Sequence, residues 1–276
     1  MHFTDEQEFL DHLLDEIRND RINLPTLPEV ALKVRRAVES GNATASQLAQ
    51  MIGEDAGLSA RLLQVANSPL YRGRAEITNL QMAVMRLGYD TVRSLITSLA
   101  LKQVFTPDSP LLEKYFQTIW QTSVDVAAIS RALSSLCPHL ESEQAMLAGL
   151  IHQIGKLPIL VLANQTPDLA DNQALLDRLI TALHPRIGEM ILATWHFPET
   201  LRLVVKEYHD WYRRPDMEQA DYVDLIQVAY LENLTSKGEE PPVDVSRIPA
   251  FSRLGLAPDI EVIEMEGVAE TRQMFA

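Results

Sequence analysis

The stretch of this 276-residue chain with the most chemical content is Gly149-Leu150-Ile151-His152-Gln153-Ile154-Gly155-Lys156. His152 and Gln153 lie within an apolar stripe of Leu147, Leu150, Ile151 and Ile154, which have helical spacing. A neutral imidazole nitrogen and carboxylate oxygens together hold a divalent ion, which acidifies water and polarises a phosphoryl group. Here the residue beside His152 is Gln153, whose neutral carbonyl oxygen cannot balance an ion's charge. Lys156 is in reach of an anion at the same place, although a solvated lysine at a helix end is the plainer reading. Cys137 is the only cysteine. It precedes Pro138 with no base or helix N-terminus to lower its pKa, so it reads as an inert thiol in a reducing compartment. His2, His12, His139 and His196 read as surface or helix-end residues, and the aromatics of Trp195-His196-Phe197 as packing groups at a joint before Pro198. There is no phosphate-cradling glycine loop, serine elbow or Cys-His cluster.

The elements that must position these groups read as helices. Phe9, Leu13, Leu14 and Ile17 predict a helix over about 4–19. Three capping boxes, Thr26 with Glu29, Thr44 with Gln47 and Thr78 with Gln81, predict helix starts. Asp90 is expected to cap a further one. Asp55-Ala56-Gly57 reads as a turn, and Asn67-Ser68-Pro69 as a stop. Residues 110–136 read as one long helix, and Pro158 predicts a break near Gly155. A helix is expected from Glu218 to Asn233, with Tyr212-Arg213-Arg214 as a polar break before it. Ile248, Phe251, Leu254, Leu256, Ile260 and Ile263 suggest one or two short helices, and the residues from Glu270 onward are expected to fray.

Composition narrows the function. The net charge of −14 argues against nucleic-acid binding and against docking on an anionic membrane, both of which need clustered Lys and Arg. The pair of helices around Gly57 has only Arg61 as a base on its second member, so it reads as packed helices and not as a DNA reader. The acidic N-terminus is unlike a signal peptide, and the apolar run 159–163 is too short to span a bilayer. A cytoplasmic protein is expected.

Four stretches carry a resemblance. They are Leu24-Pro25-Thr26-Leu27-Pro28-Glu29-Val30, Ile52-Gly53-Glu54-Asp55-Ala56-Gly57-Leu58-Ser59-Ala60-Arg61-Leu62-Leu63, Ala66-Asn67-Ser68-Pro69-Leu70-Tyr71 and Ala83-Val84-Met85-Arg86-Leu87-Gly88. In order and with few gaps, from about residue 17 to about 235, the chain resembles the HDOD family. These are bacterial signalling domains similar to HD-type metal-dependent phosphohydrolases but usually without their metal ligands. The resemblance implies an all-α, two-lobed fold: an N-terminal helical lobe over 1–109 and a degenerate HD-like lobe over 110–276.

The resemblance also permits an audit of the metal site. It places Thr122 where the first His ligand belongs, Gln153 where the paired Asp belongs and Tyr230 where the closing Asp belongs, leaving His152 alone. Losing both carboxylates should abolish tight metal binding. His184 and His209 match auxiliary positions, with Tyr208-His209 standing where the larger family has a His-His pair. With His152, and with Asp210 or Asp224, they could rebuild a zinc site. The vestigial cleft therefore comprises Thr122, His152, Gln153, Tyr230, Lys156, His184 and His209. The expected function is a non-catalytic signalling module, without a cofactor, that binds a protein partner or a small nucleotide. The rival is a phosphohydrolase with a rewired His-rich site.

Overall fold

Sparse glycine and abundant Leu and Ala favour helix, and the computed structural model contains no strand among its described residues. These are residues 6–19, 21–71, 73, 75–106, 110–166, 172–215, 219–258 and 265–276. His2, Ile260, Ile263 and the expected helix start at Glu218 lie outside them. The first group of helices is α1 (Glu6–Arg18), α2 (Glu29–Glu39), α3 (Ala45–Gly53), α4 (Ala56–Ala66), α5 (Leu80–Leu87) and α6 (Tyr89–Val104). The second is α7 (Pro110–Leu133), α8 (Ser142–Ile151), α9 (Lys156–Asn164), α10 (Gln173–Thr194), α11 (Glu199–Glu207), α12 (Tyr222–Ser236), α13 (Pro249–Arg253) and α14 (Val268–Gln273). One buried apolar cluster runs from Phe9 to Phe275 through both groups. α6 packs on α8 between them, and α1 crosses over to pack on α10.

Local chemistry explains where helices start, and it corrects several expectations. The Thr44–Gln47 box forms, with Gln47 N–H donating to Thr44 Oγ1 at 3.2 Å and Thr44 N–H to Gln47 Oε1 at 2.8 Å. The Thr26–Glu29 box does not form, because extended Pro28 is itself the N-cap of α2 and no side chain bonds there. At α5 the cap is Asn79 instead of Thr78, its Oδ1 accepting from Met82 N–H at 2.9 Å. Gly88, at φ 84°, ends α5 and opens α6. α6 therefore begins before Asp90, which pairs with Arg93 at 3.2 Å instead of capping. Asp55 does more than turn the chain: its Oδ1 caps α4 at Leu58 N–H. The chain end does not fray. α14 packs on α7, and Phe275 is buried edge-on against Trp120 at 5.9 Å.

The break in the central stretch comes earlier than Pro158. α8 stops at Ile151, residues 152–155 form a turn, and Pro158 sits in the first turn of α9, where its missing N–H costs nothing. Ser142–Asn164 is the one described stretch long and apolar enough to cross a membrane, and 89% of its window is buried inside the protein.

α7 and α8 pack along each other more extensively than any other pair of described helices. A Cβ on Gly149 would overlap the Ala127 backbone, so this position must be glycine. Gly155 likewise lies against the His184 carbonyl, which presses the 152–155 turn onto α10. Gly149→Ala is expected to lower unfolding free energy by about 2–3 kcal/mol. Urea denaturation measures this, and a change below about 0.5 kcal/mol would contradict the close approach.

Candidate functional site: a buried ring cluster

His152 caps the C-terminal end of α8, and its Nδ1 lies 2.6 Å from the Gly149 carbonyl. A carbonyl only accepts, so Nδ1 carries the proton and Nε2 carries a lone pair. Nε2 is fully buried and has no protein partner. His184, on α10, repeats the arrangement: Nδ1 donates to the Ile180 carbonyl at 2.7 Å. Its Nε2 lone pair is met by the Tyr208 hydroxyl at 2.9 Å, so Tyr208 donates. The Gln153 side chain adjoins the Tyr208 hydroxyl and acts to lower its pKa against the larger effect of burial.

Tyr208 is wholly buried at the end of α11 and is the hub of a ring cluster. Its ring centroid lies 4.0 Å from His209, 5.0 Å from His152, 5.6 Å from His184 and 5.8 Å from Tyr230. His209 meets His184 at 5.0 Å and Trp211 at 5.7 Å. Most of these contacts are edge-to-face or tilted, the arrangement that aromatic quadrupoles favour.

Burial sets the charge state. Desolvation pulls His152 down to about 3, His184 to about 2 and His209 to about 4, and the Lys156 ammonium lowers all three further. Lys156 is not the solvated residue expected. It opens α9, is half-buried, and its own pKa falls to about 8, chiefly by desolvation.

The structure thus brings together His152, His184, His209 and Tyr230, joins Gln153 to them through Tyr208, and sets Lys156 close enough to act on all three imidazoles. Thr122 is half-buried on α7, and no described hydrogen bond or ring contact links it to the cluster. Its neighbour Ser123 is fully buried with Oγ unpartnered. The three-His zinc site does not fit. His184 has both nitrogens engaged, and no group of three His, Cys, Asp or Glu among the described residues could hold an ion. Asp224 is committed elsewhere, with Arg253 Nη2 at 2.9 Å and Arg213 Nη1 at 3.5 Å. Arg213 also forks onto Asp221 through two 2.7 Å contacts, so the expected polar break is a buried anchor for the start of α12. The residues missed from sequence were Tyr208 and Trp211. Tyr208 was detectable, because it stands where the resemblance puts a second His.

The depressed imidazoles make stability depend on pH. Folded His152 and His184 stay neutral, whereas in the unfolded chain they bind protons below about 6.5. Their contribution is complete above that pH and is lost as pH falls toward their folded values. Unfolding free energy should drop by about 2 kcal/mol per buried imidazole between pH 6.5 and 5. Burial lifts Asp224 to about 6, and it titrates here in the opposite sense. The diagnostic is therefore His184→Gln, which should flatten the pH slope by about one proton in denaturant titrations. An unchanged slope would contradict the neutral buried ring.

A family model, HDOD domain, matches residues 24–211. A Shewanella amazonensis SB2B protein, provisionally named a metal-dependent phosphohydrolase, has a solved structure with a TM-score of 0.81 and 29% identity, covering 99% of this chain and 98% of that one. A Geobacter sulfurreducens HDOD domain protein of unknown function has a TM-score of 0.71 and 24% identity over 98% of this chain and 97% of that one. A Marinobacter aquaeolei VT8 protein, provisionally named a signal transduction protein, has a TM-score of 0.65 and 20% identity over 98% and 64%. An uncharacterised Treponema pallidum (strain Nichols) protein is 23% identical over 249 residues, 83% of this chain and 46% of that one. The chain therefore spans less than half of that relative's length. With its helical architecture and a family match over most of its length, this chain belongs to the HDOD domain family.

Proposed function

We propose that this HDOD domain is a non-catalytic signal-transduction module that works by binding, to a protein partner or to a small ligand. The observation that carries the reading is the Tyr208–His184 hydrogen bond: a phenol hydroxyl satisfies the lone pair that a metal would need. The absence of carboxylates at Gln153 and Tyr230 supports it on charge grounds, since hard oxygen ligands are what neutralise a divalent ion. The net charge of −14 favours protein partners over nucleic acid. The similarity to the Marinobacter protein adds the fold of a chain named for signalling.

One observation favours a second reading. His152 Nε2 is a buried lone pair without a partner, and the Shewanella relative is named for metal-dependent phosphohydrolysis. A hydrolase built on this cleft would have to recruit that nitrogen and displace the Tyr208 hydroxyl from His184.

One experiment separates the two. The purified chain is incubated in turn with zinc, manganese and ferrous iron, desalted, and analysed for bound metal and for phosphate-ester hydrolysis. The expected result is far less than one ion per chain, no hydrolysis, and a thermal midpoint that added metal does not raise. One ion per chain, lost together with hydrolysis in His152→Ala, would overturn the non-catalytic reading.

A further inference from the structure

A concavity lined by none of the ring-cluster residues lies where the two groups of helices meet. It is a crevice of about 390 Å³ lined from α2 by Arg35 and Glu39, from α6 by Arg93 and Ser94, from α8 by Gln144 and Leu147, and from the α10–α11 joint by His196 and Pro198. Leu201 of α11 completes the wall.

Two arginines line this space against one lining carboxylate, in a chain whose net charge is −14. Arg35 is only 5% exposed. Its guanidinium carbon sits 4.0 Å over the Phe197 ring, and Nη2 donates to Glu39 Oε1 and to the His196 carbonyl, each at 3.2 Å. The stack on Phe197 and the two bonds fix the planar fork in one orientation. Arg93 is held from the other side by Asp90 at 3.2 Å, and Asp90 is itself largely exposed. Burial lowers the Arg35 pKa, Glu39 partly offsets this, and the nearby Arg93 charge lowers it further. His196, which supplies the carbonyl to Arg35, is the one described non-glycine residue at positive φ (56°). This is the backbone of a helix cap: His196 N–H donates to the Ala193 carbonyl at 3.0 Å and Phe197 N–H to the Leu192 carbonyl at 2.9 Å, which closes α10 and brings His196 and Phe197 to Arg35.

We propose that this crevice is a binding site for a small organic phosphate of nucleotide size, with the phosphate on Arg35 and Arg93 and the organic body against Leu147, Pro198 and Leu201. The volume falls in the range of small-molecule sites, and guanidinium forks match phosphate oxygens two at a time. Glu39 competes for Arg35 when the site is empty. Because helices of both groups line the crevice, an occupant bridges them and favours one relative placement. The site does not depend on whether the ring cluster binds metal, so it stands or falls separately from the non-catalytic reading.

The test is calorimetric titration of the full chain with adenosine monophosphate and, separately, with inorganic phosphate at low salt. One-to-one binding is expected, with the nucleotide the tighter probe. Arg93→Ala should weaken it roughly tenfold, the loss of a charge-assisted contact. Glu39→Gln should tighten it, a change that a misfolded variant would not produce. No heat with either probe up to about 10 mM, a range that covers the weakest useful affinities, overturns the site. Binding that neither variant alters overturns it too. Equal affinity for the two probes overturns the assignment of an organic body.

Discussion

The cleft of this protein depends on a single buried hydrogen bond, from the Tyr208 hydroxyl to the His184 ring nitrogen. A lone pair sealed from water must be met by some donor or cation, or its desolvation counts against folding. In a hydrolase a metal ion would meet it. Here a phenol does, and the phenol also brings a ring large enough to fill the space. Tyr208 touches every other ring of the cluster except Trp211, which it reaches through His209 and Tyr230.

Filling the cleft with rings also fixes its electrostatics. Once water is excluded, a charged imidazole is costly, so His152, His184 and His209 all stay neutral far below their ordinary titration range. The neighbouring Lys156 ammonium reinforces that state and occupies the cationic role in the site. The contrast with the Arg35–Arg93 crevice is one of access. There Arg35 and Arg93 line an open crevice, each beside one carboxylate, Glu39 and Asp90 respectively.

Both places depend on close backbone approach. Gly149 against Ala127, and Gly155 against the His184 carbonyl, draw α8 and its following turn into the second group of helices. α6 then reaches α8 from the first group, and α8 supplies Gln144 and Leu147 to the crevice and carries His152 at its end. The Asp221, Asp224, Arg213 and Arg253 network ties α12 to α13, and α14 closes over α7. Chain segments that look peripheral in sequence thus hold the central segment in place.

How much was legible beforehand follows from what kind of interaction decides each feature. Helical class, the extents of α7 and α3, and the neutral residues at 153 and 230 were written in the sequence, because each depends on residue type or on neighbours a few positions apart. Cap positions at Pro28, Asn79 and Gly88 slipped by one or two residues. Several residues there could cap, and only the incoming chain path selects one. Tyr208 as hub, the burial of Lys156, the ion network of Arg213 and the pairing of Arg35 with Arg93 were decided by tertiary structure alone. Each joins groups that are close only after distant helices pack, and their energies come from desolvation, which has no local signature in a sequence.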